Sequence, residues 1–164
     1  MKFMIVGDGP QRATLQKGHP DLLFCGAHRA ESLAKHYASA DIFLFPSDTE
    51  TFGNVTVEAM ASGLAVIAYD YAAARMHITH GETGILVPYG EPHTFVAAAI
   101  ELAQAPHSLP KMRRQARDYV AVLGWQCVVR QVETLLTATL VHPRPAYGDP
   151  RKALRIRVAT GSDV

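Results

Sequence analysis

Apolar and polar residues fall in blocks along this chain, and each block has a recognisable period. "KFMIVG" is a short apolar run closed by "GDGP", the pattern of a buried strand ending in a turn. "QRATLQK" predicts a short helix, and "DLLFCG" a second strand that stops at glycine. In "ESLAKHYASA" the apolar positions Leu33, Ala34, Tyr37 and Ala38 have helical spacing. "DIFLFP" predicts a third strand, apolar at nearly every position, as strands are when both sheet faces are covered. "AVIAYD", from Ala65 to Asp70, predicts a fourth strand of the same kind, "AAARMHITH" a helix and "GILVPYG" a short last strand. "EPHTFVAAAIELAQA" is a strong helix signal, with Pro92 near its start and Pro106 past its end. "PKMRRQARDYVAVLG" and "WQCVVRQVETLLTATL" predict two more helices.

Strands that alternate with helices, and are apolar on both faces, make a parallel α/β sheet with helices on both sides, Rossmann-like in style. A length of 164 residues suits one domain with a sizeable core. The expected division is a domain over residues 1–141 and a basic, proline-containing tail over 142–164. That tail holds four prolines or glycines by Pro150, followed by "RKALRIR". The sheet begins at residue 3 and has few strands for a doubly wound domain. The domain is therefore expected to be incomplete at its N-terminal side.

Composition narrows the classes. The chain is 48% hydrophobic and 19% charged, as in soluble globular proteins. No apolar run approaches the roughly 20 residues of a membrane helix. "MKFMIVGDGP" turns to glycine and proline too early for a signal peptide. Cys25 and Cys127 have no CxxC or metal-ligand spacing and read as reduced, buried thiols, which predicts a cytoplasmic location. The net charge of +1 hides an asymmetry: residues 1–110 carry 6 Lys/Arg against 11 Asp/Glu, and residues 111–164 carry 10 against 4. The basic end is a candidate for peripheral contact with an anionic membrane at its inner face. A solvated helix face followed by a basic tail is the reading favoured over it.

In an open parallel sheet, ligands sit at the carboxyl ends of the strands. "GDGP", "CGAHR" and "PSDTETFGN" fall there, and the third is the most informative. It leaves a strand at Pro46 and enters a helix near Asn54. In that helix Val57, Met60, Ala61 and Leu64 fit a core-facing stripe, with Glu58 about 100° away from it. A helix N-terminus offers free N–H groups and partial positive charge, and Gly53 admits close approach to the backbone. A diphosphate suits that place, with Glu50 and Glu58 as acceptors for sugar or ribose hydroxyls. On spacing alone, Glu58 as a dipole-compensating residue and Glu50 as a solvated loop acid remain open.

"PSDTETFGNVTVEAMASGLAVIA" closely resembles the signature of retaining GT-B glycosyltransferases of the large group-1 (fourth) family. "IVGDGPQR", "LLFCGAH", "YASADIFLFPS", "HGETGILVPYGEP" and "LGWQCVVRQVETLL" resemble further family segments, in the family's order. The resemblance spans about residues 3–140 and implies a nucleotide-sugar donor-binding domain, the C-terminal half of a GT-B fold. It implies that Glu50 holds hydroxyls of the transferred hexose and is the catalytic residue. Backbone around Phe52, Gly53 and Asn54 would contact the sugar, Asn54 and Val55 the diphosphate, Glu58 the ribose, and Cys25 and Gly26 would border the nucleobase. The implied donor is a UDP- or GDP-hexose, with no bound metal and no cofactor. The acceptor would be a lipid or polysaccharide intermediate.

Two departures follow from the same comparison. The family's donor domain opens with a strand and loop carrying an Arg and a Lys that clamp the diphosphate, upstream of the Gly-Asp-Gly-Pro turn. Together with the N-terminal acceptor domain, that segment is expected outside this chain, so the isolated chain is not expected to transfer sugar. "YDYAAARMHI" stands where many members have Gly-Gly-x-Pro-Glu, and resembles the lipid mannosyltransferase-like subset.

Other readings are weaker. "GDGPQR" starts like a dinucleotide fingerprint but has Arg12 in place of the third glycine, and Cys25-Gly26 where an acidic residue should end the second strand. His77 and His80 have ligand spacing on an expected helix without a third ligand. "LPKMRRQAR" lacks the aromatics that would suit nucleic acid. Neither a Ser/His/Asp elbow nor a P-loop is present. A non-catalytic nucleotide-binding or interaction module is the alternative function. A sugar-nucleotide epimerase of the same architecture fits the Phe-Gly step less well.

Overall fold

The computed structural model describes residues 1–141; the expected tail over 142–164 lies outside the described residues. Five strands and seven helices follow one another as β1 (Met4–Val6), α1 (Arg12–Gly18), β2 (Leu23–Gly26), α2 (Ala30–Ala38), β3 (Ile42–Phe45) and α3 (Asn54–Ala61). Then come β4 (Ala65–Tyr69), α4 (Ala72–His77), β5 (Gly84–Val87), α5 (Pro92–Gln104), α6 (Leu109–Ala121) and α7 (Trp125–Val141). The alternation read from the sequence is thus the alternation of the fold. Residues 1–123 form one compact unit, and a second begins at Gly124 and contains α7.

All the strand pairs are parallel, but they make two sheets. β1 pairs with β2, and β3, β4 and β5 pair in that order. Among the described residues no ladder joins β1 to β3. β4 is central and buried along its whole length. Its side chains alternate, as a pleated strand requires. Val66 and Ala68 join Met60 of α3, Ala74 of α4 and Ala116 of α6 in one apolar layer. Ala65, Ile67 and Tyr69 join Val87 of β5, Phe95 and Leu102 of α5 and Met112 of α6 in the other. This explains why "AVIAY" is apolar without alternation. At the β4–β5 ladder, a side chain on Gly84 would sit 2.8 Å from the Val66 carbonyl oxygen, so the close strand approach needs glycine there.

Two helices differ from expectation. The core face of α3 is Thr56, Ala59 and Met60, whereas Val57 is half-buried and Ala61 exposed. Of the stripe drawn from periodicity, Met60 and Leu64 are buried as expected, and Thr56 and Ala59 take the places expected of Val57 and Ala61. The cause is the helix start: Gly53 is left-handed (φ 92°) and fixes the direction in which Asn54 leaves the loop. α4 ends at His77, short of the expected His80, because Ile78 turns extended. The Thr79 N–H then donates to the Thr83 hydroxyl at 2.9 Å, closing a turn ahead of β5.

Candidate functional site

The β3–α3 connection carries most of the candidate residues. It passes from Phe45 through Pro46 and Ser47 to Gly53, then into α3. Glycine is required at 53 by its positive φ, which costs an L-residue about 1–2 kcal/mol. The first α3 hydrogen bond runs from Thr56 N–H to the Gly53 carbonyl at 3.0 Å. Among the described residues, the N–H groups of Asn54 and Val55 have no partner, as expected for the first turn of a helix. The backbone read from the sequence as an anion site is thus open and at the positive end of α3.

The two glutamates have different surroundings. Glu50 is half-buried, and the Ser47 hydroxyl donates to its Oε1 at 3.1 Å. Its Oε2 leans toward Gly53, 3.8 Å from where a side chain on that residue would begin. Glu58 is exposed on α3, and the Tyr37 hydroxyl of α2 donates to its Oε2 at 3.4 Å. Burial first, and then this carboxylate, push the Tyr37 phenol up to about 12. No hydrogen bond links the glutamates to each other. They stand as two separate acceptors, one in the loop before α3 and one on the helix.

The β4–α4 turn packs against this loop. Ala73 N–H donates to the Phe52 carbonyl at 2.7 Å. The exposed Phe52 ring meets His77 edge-on at 6.2 Å between centroids, and His77 Nδ1 lies 3.2 Å from the Tyr119 hydroxyl of α6. Tyr89, after β5, donates to the Asp48 carbonyl at 2.8 Å and packs edge-on against Tyr71 at 4.9 Å. Ala72 is in the left-handed region at φ 49°, a strained setting for a non-glycine residue.

Cys25 and Gly26 end β2, in the other sheet; Cys25 is half-buried there and Cys127 on α7 is exposed, so neither is the buried thiol expected from the sequence. They are tied to the first turn: Gly7 N–H donates to the Gly26 carbonyl at 2.8 Å, and the Arg12 guanidinium lies over Gly26, held also by Asp8 at 3.4 Å. No hydrogen bond or ring contact among the described residues joins Cys25 or Gly26 to the 47–58 segment. The bridge between the two groups is α2, which follows β2 and presents Tyr37 to Glu58. His77 and His80 have protein partners, in keeping with the surface or packing role favoured for them over ligation: Leu86 N–H donates to His80 Nδ1 at 3.1 Å, and His77 meets Tyr119. Among the described residues no group of three or more His, Cys, Asp or Glu side chains could hold a metal. Nor is any helix long and apolar enough to cross a membrane.

Periodicity gave no site role to Tyr37, Ser47, Tyr71, Tyr89 and His77. Ser47 lies in the loop itself, three residues from Glu50, and the other four reach the site through tertiary packing. The only local signal is the aromatic density of "YDY" and "VPYG".

Comparison with known proteins is specific. The family described as Glycosyl transferases group 1 matches residues 1–105. The chain is 40% identical over 128 residues to a GDP-mannose-dependent alpha-mannosyltransferase of Mycobacterium tuberculosis, covering 78% of this chain and 33% of that protein. It is 30% identical over 137 residues to the sulfoquinovosyl transferase SQD2 of Arabidopsis thaliana, covering 80% of this chain and 27% of that one. Among solved structures, sucrose-phosphate synthase from Thermosynechococcus elongatus superposes with a TM-score of 0.70 at 27% identity, covering 84% of this chain and 38% of that chain. Anabaena HepE in complex with UDP also superposes at 0.70, with 20% identity over 84% of this chain and 41% of that chain, a likeness of fold. The chain spans about a third of the length of these curated relatives.

Proposed function

Because this chain belongs to the group-1 glycosyl transferases and has the α/β fold of a GT-B half, we propose that it binds a nucleotide-sugar donor. One observation carries the reading. The unpartnered amides of Asn54 and Val55 fall in the chain between two carboxylates with separate surroundings, Glu50 in the loop and Glu58 on α3. In this reading the amides hold the diphosphate, Glu50 takes hydroxyls of the transferred hexose and Glu58 takes the ribose. Breaking the bond from the sugar's anomeric carbon to the phosphate oxygen builds negative charge on the leaving diphosphate. Fixed amide dipoles stabilise that charge without reorganising. Cys25 and Gly26, beside the Arg12-braced turn, border the base. The 40% identity to a GDP-mannose-dependent enzyme makes GDP-mannose the first donor to try, ahead of UDP-sugars.

Catalysis by this chain is proposed to need more polypeptide than it contains. The chain spans about a third of the length of the mannosyltransferase it resembles, and the countercharge for a diphosphate is proposed to come from a further segment. β1 and β3 each have one edge without a partner among the described residues, which fits one further parallel strand from an upstream segment. An acceptor domain on that side, a cytoplasmic location and contact of the basic end with an anionic membrane belong to the same proposal.

The test is calorimetric titration of GDP, UDP, GDP-mannose and UDP-glucose into the chain. Saturable binding of one nucleotide and its sugar is expected, weakened about tenfold or more in Glu58→Ala, which removes a charge-assisted acceptor. Failure of all four to bind overturns the donor role. Robust sugar transfer by the chain alone overturns the need for a partner segment.

A further inference from the structure

Below the loop that carries Glu50 lies a small cavity of about 10 Å³, room for a single water-sized group. Its walls come from the β3–α3 loop, from α3 and from the β4–α4 turn, and include Glu50, Gly53, Thr56, Tyr71 and Ala73. Two of these walls hold an anomaly. The Thr56 hydroxyl is buried and has no hydrogen-bond partner, on a residue only 1% exposed. The Tyr71 hydroxyl is also buried and unpartnered. Buried hydroxyls are normally satisfied, and one left without a partner destabilises the fold. Here the two residues that carry them line the same space, and Glu50 lines it with them. Glu50 accepts from Ser47 through Oε1 only, and its Oε2 is unpaired and leans toward Gly53.

Tyr71 is also held in place. Its ring is wedged edge-on against Tyr89, and Tyr89 is itself tied to the loop through Asp48. A phenol with a fixed ring and an unused hydroxyl is preorganised to meet an incoming group.

We propose that Tyr71 and Thr56 are specificity-determining residues that, with Glu50, close around one hydroxyl of the transferred sugar. The chemistry suits a hydroxyl because it both donates and accepts. The sugar O–H donates to Glu50 Oε2, and its oxygen accepts from Tyr71 or Thr56. A site built to pair a hydroxyl discriminates against sugars that lack it, because its own polar groups then stay unpaired. The inference rests on the donor-binding reading above and names the part of the donor that this cavity reads. A trapped water is the competing occupant, and it makes the opposite prediction for stability.

The test compares Tyr71→Phe and Thr56→Val with the parent chain. Both variants keep the shape of the side chain and delete the hydroxyl function. Calorimetry uses GDP with GDP-mannose, and UDP with UDP-glucose; thermal melts are recorded without ligand. The expected result is unchanged affinity for the nucleoside diphosphate, affinity for its sugar conjugate reduced about three- to tenfold, and a melting temperature equal to or above the parent's. Equal affinity of parent and variants for the sugar conjugate overturns this inference and leaves donor binding intact. A lowered melting temperature with unchanged sugar affinity assigns the cavity to a structural water and likewise overturns it. Loss of diphosphate affinity in Tyr71→Phe also overturns it, since the phenol would then be acting on the phosphate side. If the parent binds no nucleotide at all, the donor reading and this inference fall together.

Discussion

The stretch from residue 1 to 40 and the stretch from 54 to 87 contain the same kinds of element, yet they are packed differently. In the first, Gly26 is the only buried residue, and neither α1 nor α2 buries a side chain. Ile5 at the centre of β1 is 38% exposed. In the second, β4 is buried throughout, and Met60, Leu64 and Ile67 are 0–1% exposed. The difference is neighbours rather than hydrophobicity. β4 has a strand on each side and helices over both faces, whereas β1 and β3 each pair with one strand only. A strand's apolar run stabilises only where other elements cover it. The candidate site straddles this divide. Glu50, Asn54 and Glu58 rest on the well-packed side, while Cys25, Gly26 and Tyr37 rest on the sparse one.

Large-to-small substitutions give the widest expected contrast. Met60→Ala should destabilise by about 2–5 kcal/mol, as for a buried methionine, and Ile5→Ala by about 1 kcal/mol or less. Urea midpoints of the two variants measure both. In a longer protein that supplies a strand between β1 and β3, the Ile5→Ala cost should rise toward the Met60 value. An equal small cost in both settings would remove the strand from that place.

A smaller effect tests strain at the junction of the two turns. Ala72→Gly relieves a left-handed alanine but adds freedom to the unfolded chain, so a net gain of about 0.5 kcal/mol is expected in thermal melts. Destabilisation would mean that the alanine methyl contributes packing that outweighs the strain.

The smallest effect probes the contact that crosses the divide. The Tyr37 phenol is raised from 10.0 to about 12, so the folded state favours its neutral form. That contribution is fully present below the unfolded value and is lost as pH rises through the folded one. Stability of the parent should therefore fall between about pH 10 and 12, and more steeply than in Tyr37→Phe, which has no phenol to ionise. Identical slopes in chemical denaturation would show that the phenol is not coupled to folding.

The elements themselves were legible because local rules govern them. "AVIAY" could only be a strand covered on both faces, and Pro92 and Pro106 bracket α5 in the chain as they do in the sequence. The site was legible as a stretch, from Glu50 through Glu58, because the glycine and the helix start are adjacent. What could not be read depends on packing between distant segments. The phase of α3 follows from the left-handed Gly53, so Thr56 turns inward where periodicity points to Val57. Which strands pair is decided by contacts far apart in the chain, so the break between β1 and β3 left no local trace. The partners of the two glutamates divide the same way: Ser47 is three residues from Glu50, while Tyr37 reaches Glu58 from another helix.

The bond from Ala73 N–H to the Phe52 carbonyl fastens the turn after β3 to the turn after β4. Outward movement of the first turn has to release an amide that belongs to α4. That amide is therefore a built-in reporter: its rate of deuterium uptake follows the opening of the 47–53 segment with no label on the segment itself. A ligand that clasps the segment would slow uptake at Ala73 without touching it, and a substitution that loosens the segment would speed it.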